Sequence, residues 1–121
     1  MQILGLYTTI YSVDHLERAK AWYAEFLGQA PYFDQPFYVG FNVAGYELGL
    51  VPAAETRGSV GYWGVADIVA ACADLEERGH QPFEPVTDVG GGIKVATFRD
   101  ADGNVIGLIE NPHFKHGNTE V

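Results

Sequence analysis

The sequence predicts an α+β fold made of two pseudo-symmetric β-α-β-β-β units. Two observations carry that reading. Leu48-Gly49-Leu50-Val51-Pro52 closes the first half of the chain, and Ile106-Gly107-Leu108-Ile109-Glu110-Asn111-Pro112 closes the second. Upstream of each phrase the same order recurs: a short β-like run, a capped amphipathic helix, then further strands. The expected organisation is a single domain over 1–121. Unit one spans about 3–52, a linker about 53–59, unit two about 60–112, and a polar tail 113–121 follows.

In unit one, Leu4 to Tyr11 is rich in β-formers and reads as a strand. Asp14 and Glu17 have the spacing of a capping box with Asp in place of Ser or Thr. The helix then runs to about Leu27 and stops at Gly28. Leu16, Ala19, Tyr23 and Phe26 recur at helical spacing and form its expected buried stripe. A short element near Pro31 to Asp34 follows.

Phe37 to Val43 and Tyr46 to Val51 then form a hairpin about Ala44-Gly45. With a two-residue turn, positions summing to 89 face each other, and strand alternation separates two faces. Val39, Phe41, Val43, Tyr46, Leu48 and Leu50 make the helix-packed core. Tyr38, Gly40, Asn42, Glu47, Gly49 and Val51 lie opposite, a mixed face suited to a ligand cavity or to solvent.

Unit two repeats the plan. Val60 to Val65 is strand-like, and Asp67 caps a helix whose stripe is Ile68, Ala71, Cys72 and Leu75. Gly79 ends that helix. Pro82 to Val89 and Ile93 to Arg99 are strands joined through Gly90-Gly91-Gly92. Asp100-Ala101-Asp102-Gly103 turns the chain into a last strand, Val105 to Glu110.

The bulk numbers bound the function. At 121 residues, 47% hydrophobic and 13% aromatic, the chain is long and apolar enough to bury a core. Seven Lys and Arg against 16 Asp and Glu give a net charge of −9, which argues against nucleic-acid binding through phosphate neutralisation. No apolar run reaches the length of a membrane span, and no basic-then-apolar leader opens the chain, so a cytoplasmic protein without membrane contact is expected. Cys72 is the only cysteine, which excludes an internal disulfide and a cysteine-rich metal site. No Gly-x-Ser-x-Gly, His-Glu-x-x-His, phosphate-binding loop or Cys-x-x-Cys occurs.

The paired units, together with Val13-Asp14-His15-Leu16-Glu17-Arg18, Trp22-Tyr23, Phe26-Leu27-Gly28, Val65-Ala66-Asp67-Ile68 and Asp100-Ala101-Asp102-Gly103-Asn104, resemble the vicinal oxygen chelate superfamily. That group contains glyoxalase I, bleomycin-resistance proteins and extradiol dioxygenases. The resemblance spans Leu4 to about Pro112. It implies a partly open mixed-sheet barrel in which two units enclose a cavity, and it implies a homodimer. Metal-dependent members of the group carry ligands on the first and last strands of each unit. Here those positions hold Tyr7 or Thr8, Gly49, a residue near Val60, and Gly107. They do not supply the converging N or O donors that a first-row metal needs, so no metal and no cofactor are expected.

Cavity-facing candidates are Tyr7, Tyr38 and Tyr62 as aromatic walls, with Trp63 turned to the core. Glu47 faces the cavity by the hairpin count. Lys94 and Phe98 face it if Arg99 pairs with Asn104 across the turn. Asn42 adds a polar anchor, and Gly49 and Gly107 leave space. Glu110 follows the alternation to the opposite face. His15, His80, His113 and His116 fall at element ends and share no strand face.

Two functional classes follow. The first is metal-independent binding, or sequestration, of an aromatic or amphiphilic small molecule, in the manner of glyoxalase/bleomycin-resistance proteins. The second is a lyase, isomerase or dioxygenase with an atypical metal site or with Glu47 as general base. A ligand-sensing module is a third use of the same cavity.

Overall fold

The computed structural model describes residues 1–53 and 59–115. The heart of the expected linker, 54–58, and the end of the tail, 116–121 with His116, lie outside the described residues. The elements run β1 (Gly5–Val13), α1 (Leu16–Leu27), β2 (Phe33–Gln35), β3 (Tyr38–Val43), β4 (Tyr46–Pro52), β5 (Ser59–Gly64), α2 (Ile68–Glu77), β6 (Gln81–Gly90), β7 (Ile93–Arg99) and β8 (Val105–Glu110). Two β-α-β-β-β units therefore follow one another.

Both units share one eight-stranded sheet in the order β2-β3-β4-β1-β5-β8-β7-β6. Within each unit the first and last strands run parallel, β1 with β4 and β5 with β8. The units meet through the antiparallel pair β1–β5. The sheet curls so that both helices lie on its convex side. Leu16, Ala19, Tyr23 and Leu27 of α1 pack on Val39, Phe41 and Leu50. Ile68, Ala71, Cys72 and Leu75 of α2 pack on Ala96, Phe98 and Leu108. The concave side holds a third cluster, Ile10, Tyr38, Tyr62, Ile93 and Ile109, with Phe33, Phe37, Val60 and Val95 against it.

The triple glycine helps to curl the sheet. Gly90, Gly91 and Gly92 all have positive φ. A Cβ on Gly90 would sit 2.5 Å from the Phe37 ring, and one on Gly91 would sit 3.1 Å from Phe33. Bare backbone at the β6–β7 turn thus receives Phe33 of β2 and Phe37 just beyond it, and the sheet's two ends meet through side chains. β6 is an edge strand, and its Pro82, Pro85 and register shifts break its pairing pattern.

Several local expectations are corrected. The α1 N-cap is His15, with no side-chain cap, so the Asp14–Glu17 capping box does not form. Phe26 is 66% exposed and stacks on Trp22 instead of joining the buried stripe, which runs through Leu27. Asp67 does cap α2, accepting a hydrogen bond from Ala70 N–H at 3.1 Å. Tyr46 opens β4 exposed, and Trp63 is 40% exposed rather than in the core. The tail is not polar throughout: Phe114 is buried against Tyr7 and Tyr32.

The β3–β4 hairpin pairs Val43 with Tyr46, as a two-residue turn requires. Its central residues, Ala44 at φ 54° and Gly45 at φ 93°, have the positive values of a type I′ turn. Alanine is strained there, whereas asparagine tolerates that conformation. Ala44→Asn is expected to raise the unfolding free energy by about 0.5–1 kcal/mol. Urea denaturation of the two proteins measures the difference.

Candidate functional site

Strand register decides what faces the concave side. In the first strand a bulge between Leu6 and Thr8 shifts the pairing of β1 with β5. Leu6 is consequently exposed, and Thr8 and Ile10 turn inward. Thr8, not Tyr7, stands opposite Glu47 on one side and Tyr62 on the other. Tyr62 in turn stands opposite Gly107. Tyr7 lies over Gly64, with Phe114 edge-on to its ring at 5.5 Å.

In the β7–β8 hairpin Arg99 pairs with Val105, one residue later than expected, so Lys94 opposes Glu110 rather than Ile109. A one-residue slip exchanges the faces of a strand. Phe98 and Ala96 therefore pack under α2, Lys94 shares their face, and Ile93, Val95 and Thr97 turn to the concave side. The extra loop residue is accommodated around Asp100. Its carboxylate accepts from the Asp102 and Asn104 N–H groups at 2.9 and 2.8 Å and from Asn104 Nδ2 at 3.0 Å. Those bonds hold its pKa below the ordinary carboxylate range. Glu110 lies off the concave face, and its Oε1 accepts from Ile68 N–H at the start of α2.

The concave side contains a cavity of about 480 Å³. Residues of both units line it: Ile10, Phe37, Tyr38 and Val51 from unit one, Val60, Tyr62, Val89 and Val95 from unit two. Polar groups on its wall include Ser12, Thr87, Thr97 and Glu84. Thr97 Oγ1 accepts from Glu84 N–H at 3.0 Å and donates to Glu84 Oε1 at 2.9 Å, which fixes both side chains. Among the sequence candidates, Tyr38 and Tyr62 reach this cavity. Asn42 does not line it; its Oδ1 accepts from Gly45 N–H at 2.9 Å and braces the hairpin turn.

Glu47 lies behind the cavity floor, 4% exposed. Thr8 Oγ1 donates to its Oε1 at 2.6 Å and Tyr32 O–H to its Oε2 at 2.5 Å. Asn111 Nδ2, 3.5 Å from both oxygens, adds a longer contact from the far end of unit two. Among the described residues no Lys, Arg or His pairs with Glu47. Burial without a cation raises its pKa, and the surrounding donors only partly offset that. Burial and the neighbouring carboxylate push the Tyr32 and Tyr38 hydroxyls up as well. The Tyr38 hydroxyl, close to Glu47, makes no well-formed hydrogen bond.

Sequence reasoning missed Tyr32 and Asn111. Tyr32 precedes a three-residue strand, and Asn111 follows β8, so neither sits in a periodic pattern. The Asn-Pro that ends the second repeated phrase was the available signal.

Of the two glycines that the resemblance sets at ligand positions, Gly107 shares the row of Glu47, Thr8 and Tyr62 whereas Gly49 lies two residues along from Glu47, and both glycines are covered. A Cβ on Gly49 would lie 2.6 Å from the Tyr38 hydroxyl oxygen, and one on Gly107 would overlap the Tyr62 ring. The expected open space is filled by tyrosine. Nor do the four positions share a row: Thr8 aligns with Glu47 and Tyr62, while Ile10 aligns with Gly49 and Val60. Glu47, the carboxylate of that row, is already surrounded by neutral donors. No group of three or more His, Cys, Asp or Glu converges among the described residues. This donor set does not fit a first-row metal.

A curled sheet of two β-α-β-β-β units around a shared cavity defines a class, and the comparisons agree. Residues 5–108 match the model of the Glyoxalase/Bleomycin resistance protein/Dioxygenase superfamily, and the chain belongs to that superfamily. No curated protein sequence is significantly similar to it. Among solved structures it is similar to methylmalonyl-CoA epimerase from Mycobacterium tuberculosis, with a TM-score of 0.70 and 20% identity over 89% of this chain and 88% of that one. It is also similar to the Streptomyces coelicolor methylmalonyl-CoA epimerase in complex with 2-nitronate-propionyl-CoA (TM-score 0.71, 14% identity, 94% and 99% covered). A structure titled NAD-dependent benzaldehyde dehydrogenase from Legionella pneumophila is similar too (TM-score 0.69, 15% identity, 85% and 96% covered). At such identities the likeness concerns the fold.

The Glu47 network makes stability depend on pH. A carboxyl whose pKa is higher folded than unfolded contributes most below its ordinary value of 4.5, and that contribution is lost as pH rises through the raised value. Wild type is therefore expected to lose stability relative to Glu47→Gln as pH rises from 4 towards neutrality, measured by thermal unfolding of both proteins across that range. Tyr32→Phe removes a donor from the buried Glu47 carboxyl and is expected to cost about 1–3 kcal/mol, measured by urea denaturation.

Proposed function

We infer that this protein binds a small aromatic or amphiphilic molecule without a metal. The observation that carries the reading is the cavity itself. A volume near 480 Å³, walled by Phe37, Tyr38, Tyr62 and aliphatic side chains with a few fixed polar groups, falls within the size and chemistry of small-molecule sites. The misfit of the donor set to a metal supports the metal-independent half of the reading. Aromatic walls hold a planar ring by offset or edge contacts, and Ser12, Thr87 and the Thr97–Glu84 pair supply hydrogen bonds to its polar part.

The alternative, acid–base catalysis by Glu47, is disfavoured by its position. Its oxygens face Thr8, Tyr32 and Asn111, and it does not line the cavity. The reading also takes the family resemblance to imply a homodimer, for which light scattering of the purified protein is the check.

A panel of hydrophobic phenols, quinones and heteroaromatics is expected to contain compounds that raise the melting temperature, with the shift unaffected by a chelator. Val60→Trp, which fills the cavity, should abolish those shifts while the protein stays folded by circular dichroism. Stoichiometric metal in the purified protein, lost on chelation together with ligand binding or turnover, would overturn the metal-free reading. Turnover of any compound that Glu47→Gln abolishes in a folded protein would favour the enzyme.

A further inference from the structure

We propose that the pairs Tyr38–Gly49 and Tyr62–Gly107 are plugs that set the depth of the cavity and so the length of molecule it admits. The proposal rests on the small-molecule-binding reading and adds what determines its specificity.

Each glycine lies mid-strand, where it weakens the strand unless something approaches closely. At both positions that something is a tyrosine. The Tyr38 side chain crosses Gly49, with its hydroxyl oxygen 2.6 Å and its Cζ 3.0 Å from where a Cβ would stand. The Tyr62 ring lies against Gly107, its partner in the β5–β8 pairing. Neither glycine has a positive φ, so backbone conformation does not demand it. Space for the ring does.

The plugs come from different places in the two units. Tyr38 belongs to β3, beside the closing strand of unit one, and Tyr62 to β5, the opening strand of unit two. The repeated phrase supplies the glycines, and two separate solutions cover them.

Both tyrosines line the cavity, and both are at least nine-tenths buried. Thr8, Glu47 and Asn111 do not line it. The two rings therefore stand between the ligand space and the buried carboxylate. Ring against bare strand is the deepest seat a tyrosine can take. A methyl on either glycine lifts the ring into the cavity, and a smaller side chain in place of the tyrosine lowers the floor. This geometry selects a compact ring system over one with a long inward substituent.

The test is a homologous series, 4-methylphenol to 4-hexylphenol, titrated calorimetrically against the wild type and variants. For wild type, affinity is expected to climb with each methylene and then stop climbing at a limiting length. Tyr62→Leu and Tyr38→Leu should move that limit outward by at least one methylene, tightening the first excluded homologue by about ten-fold or more. Gly107→Ala should move it inward, and the double variant Gly107→Ala/Tyr62→Leu should restore it, since the methyl then enters vacated space. If the Leu variants do not fold, the inward shift in Gly107→Ala and Gly49→Ala decides the matter. A limit unchanged in folded variants overturns the plug proposal while leaving the binding reading intact. If no phenol binds the wild type or any variant, the binding reading falls for this ligand class, and the plug proposal falls with it.

Discussion

The antiparallel pairing of β1 with β5 is the constraint on which the rest of this protein depends. Each unit alone is a four-stranded sheet with one helix against one face, and its other face has nothing to pack on. Joining the opening strands makes one sheet of eight. The twist of that sheet then brings its two ends around towards each other. Phe33 and Phe37 complete the curl by resting on the glycines at the β6–β7 turn. The cavity is a by-product of this closure, which is why its lining comes from both units of a single chain.

Closure also creates the place for a buried carboxylate. Thr8 and Glu47 lie side by side on parallel strands, and Asn111 arrives from the end of β8. Phe114 covers the same end by packing on Tyr7 and Tyr32. Glu47 thus ties the start of unit one to the end of unit two. It is a costly tie, because no cation among the described residues accompanies the carboxyl, and the neutral donors around it only partly replace water. A residue of this kind is held in place by the fold more than it holds the fold together.

The likeness to methylmalonyl-CoA epimerases, at 14–20% identity, shows how far a sequence can diverge while this fold is kept. In this chain a tyrosine lies against a mid-strand glycine at two points of the interior. The hydroxyl of Tyr38 ends beside Glu47, and its ring faces the cavity, so one side chain bounds both compartments. Cavity chemistry and buried-charge chemistry are separated by the thickness of an aromatic ring.

Much of the architecture was legible because local patterns act over short distances. The glycine at the end of α1, the Asp67 cap, the two-residue turn at Ala44-Gly45 and the repeated closing phrase each depend on a few neighbouring residues. The register of the β3–β4 hairpin followed from its turn length, and with it the position of Glu47 opposite the helix-packed face. The register of β7–β8 did not follow, because the length of its loop depends on how Asp100 gathers its hydrogen bonds. That single residue puts Lys94 and Phe98 on the helix-packed face, opposite to the one expected. The bulge in β1 likewise sets Leu6 and Thr8 on opposite faces, which left the choice between Tyr7 and Thr8 open in the sequence. By itself, then, the sequence determined the two units, their order and the identity of the glycines that close them. Only the tertiary structure decided what fills the space above Gly49 and Gly107, and that Tyr32 and Asn111 reach Glu47 across 15 and 64 residues. Such contacts are set by how strands curl and meet, and no local pattern records them.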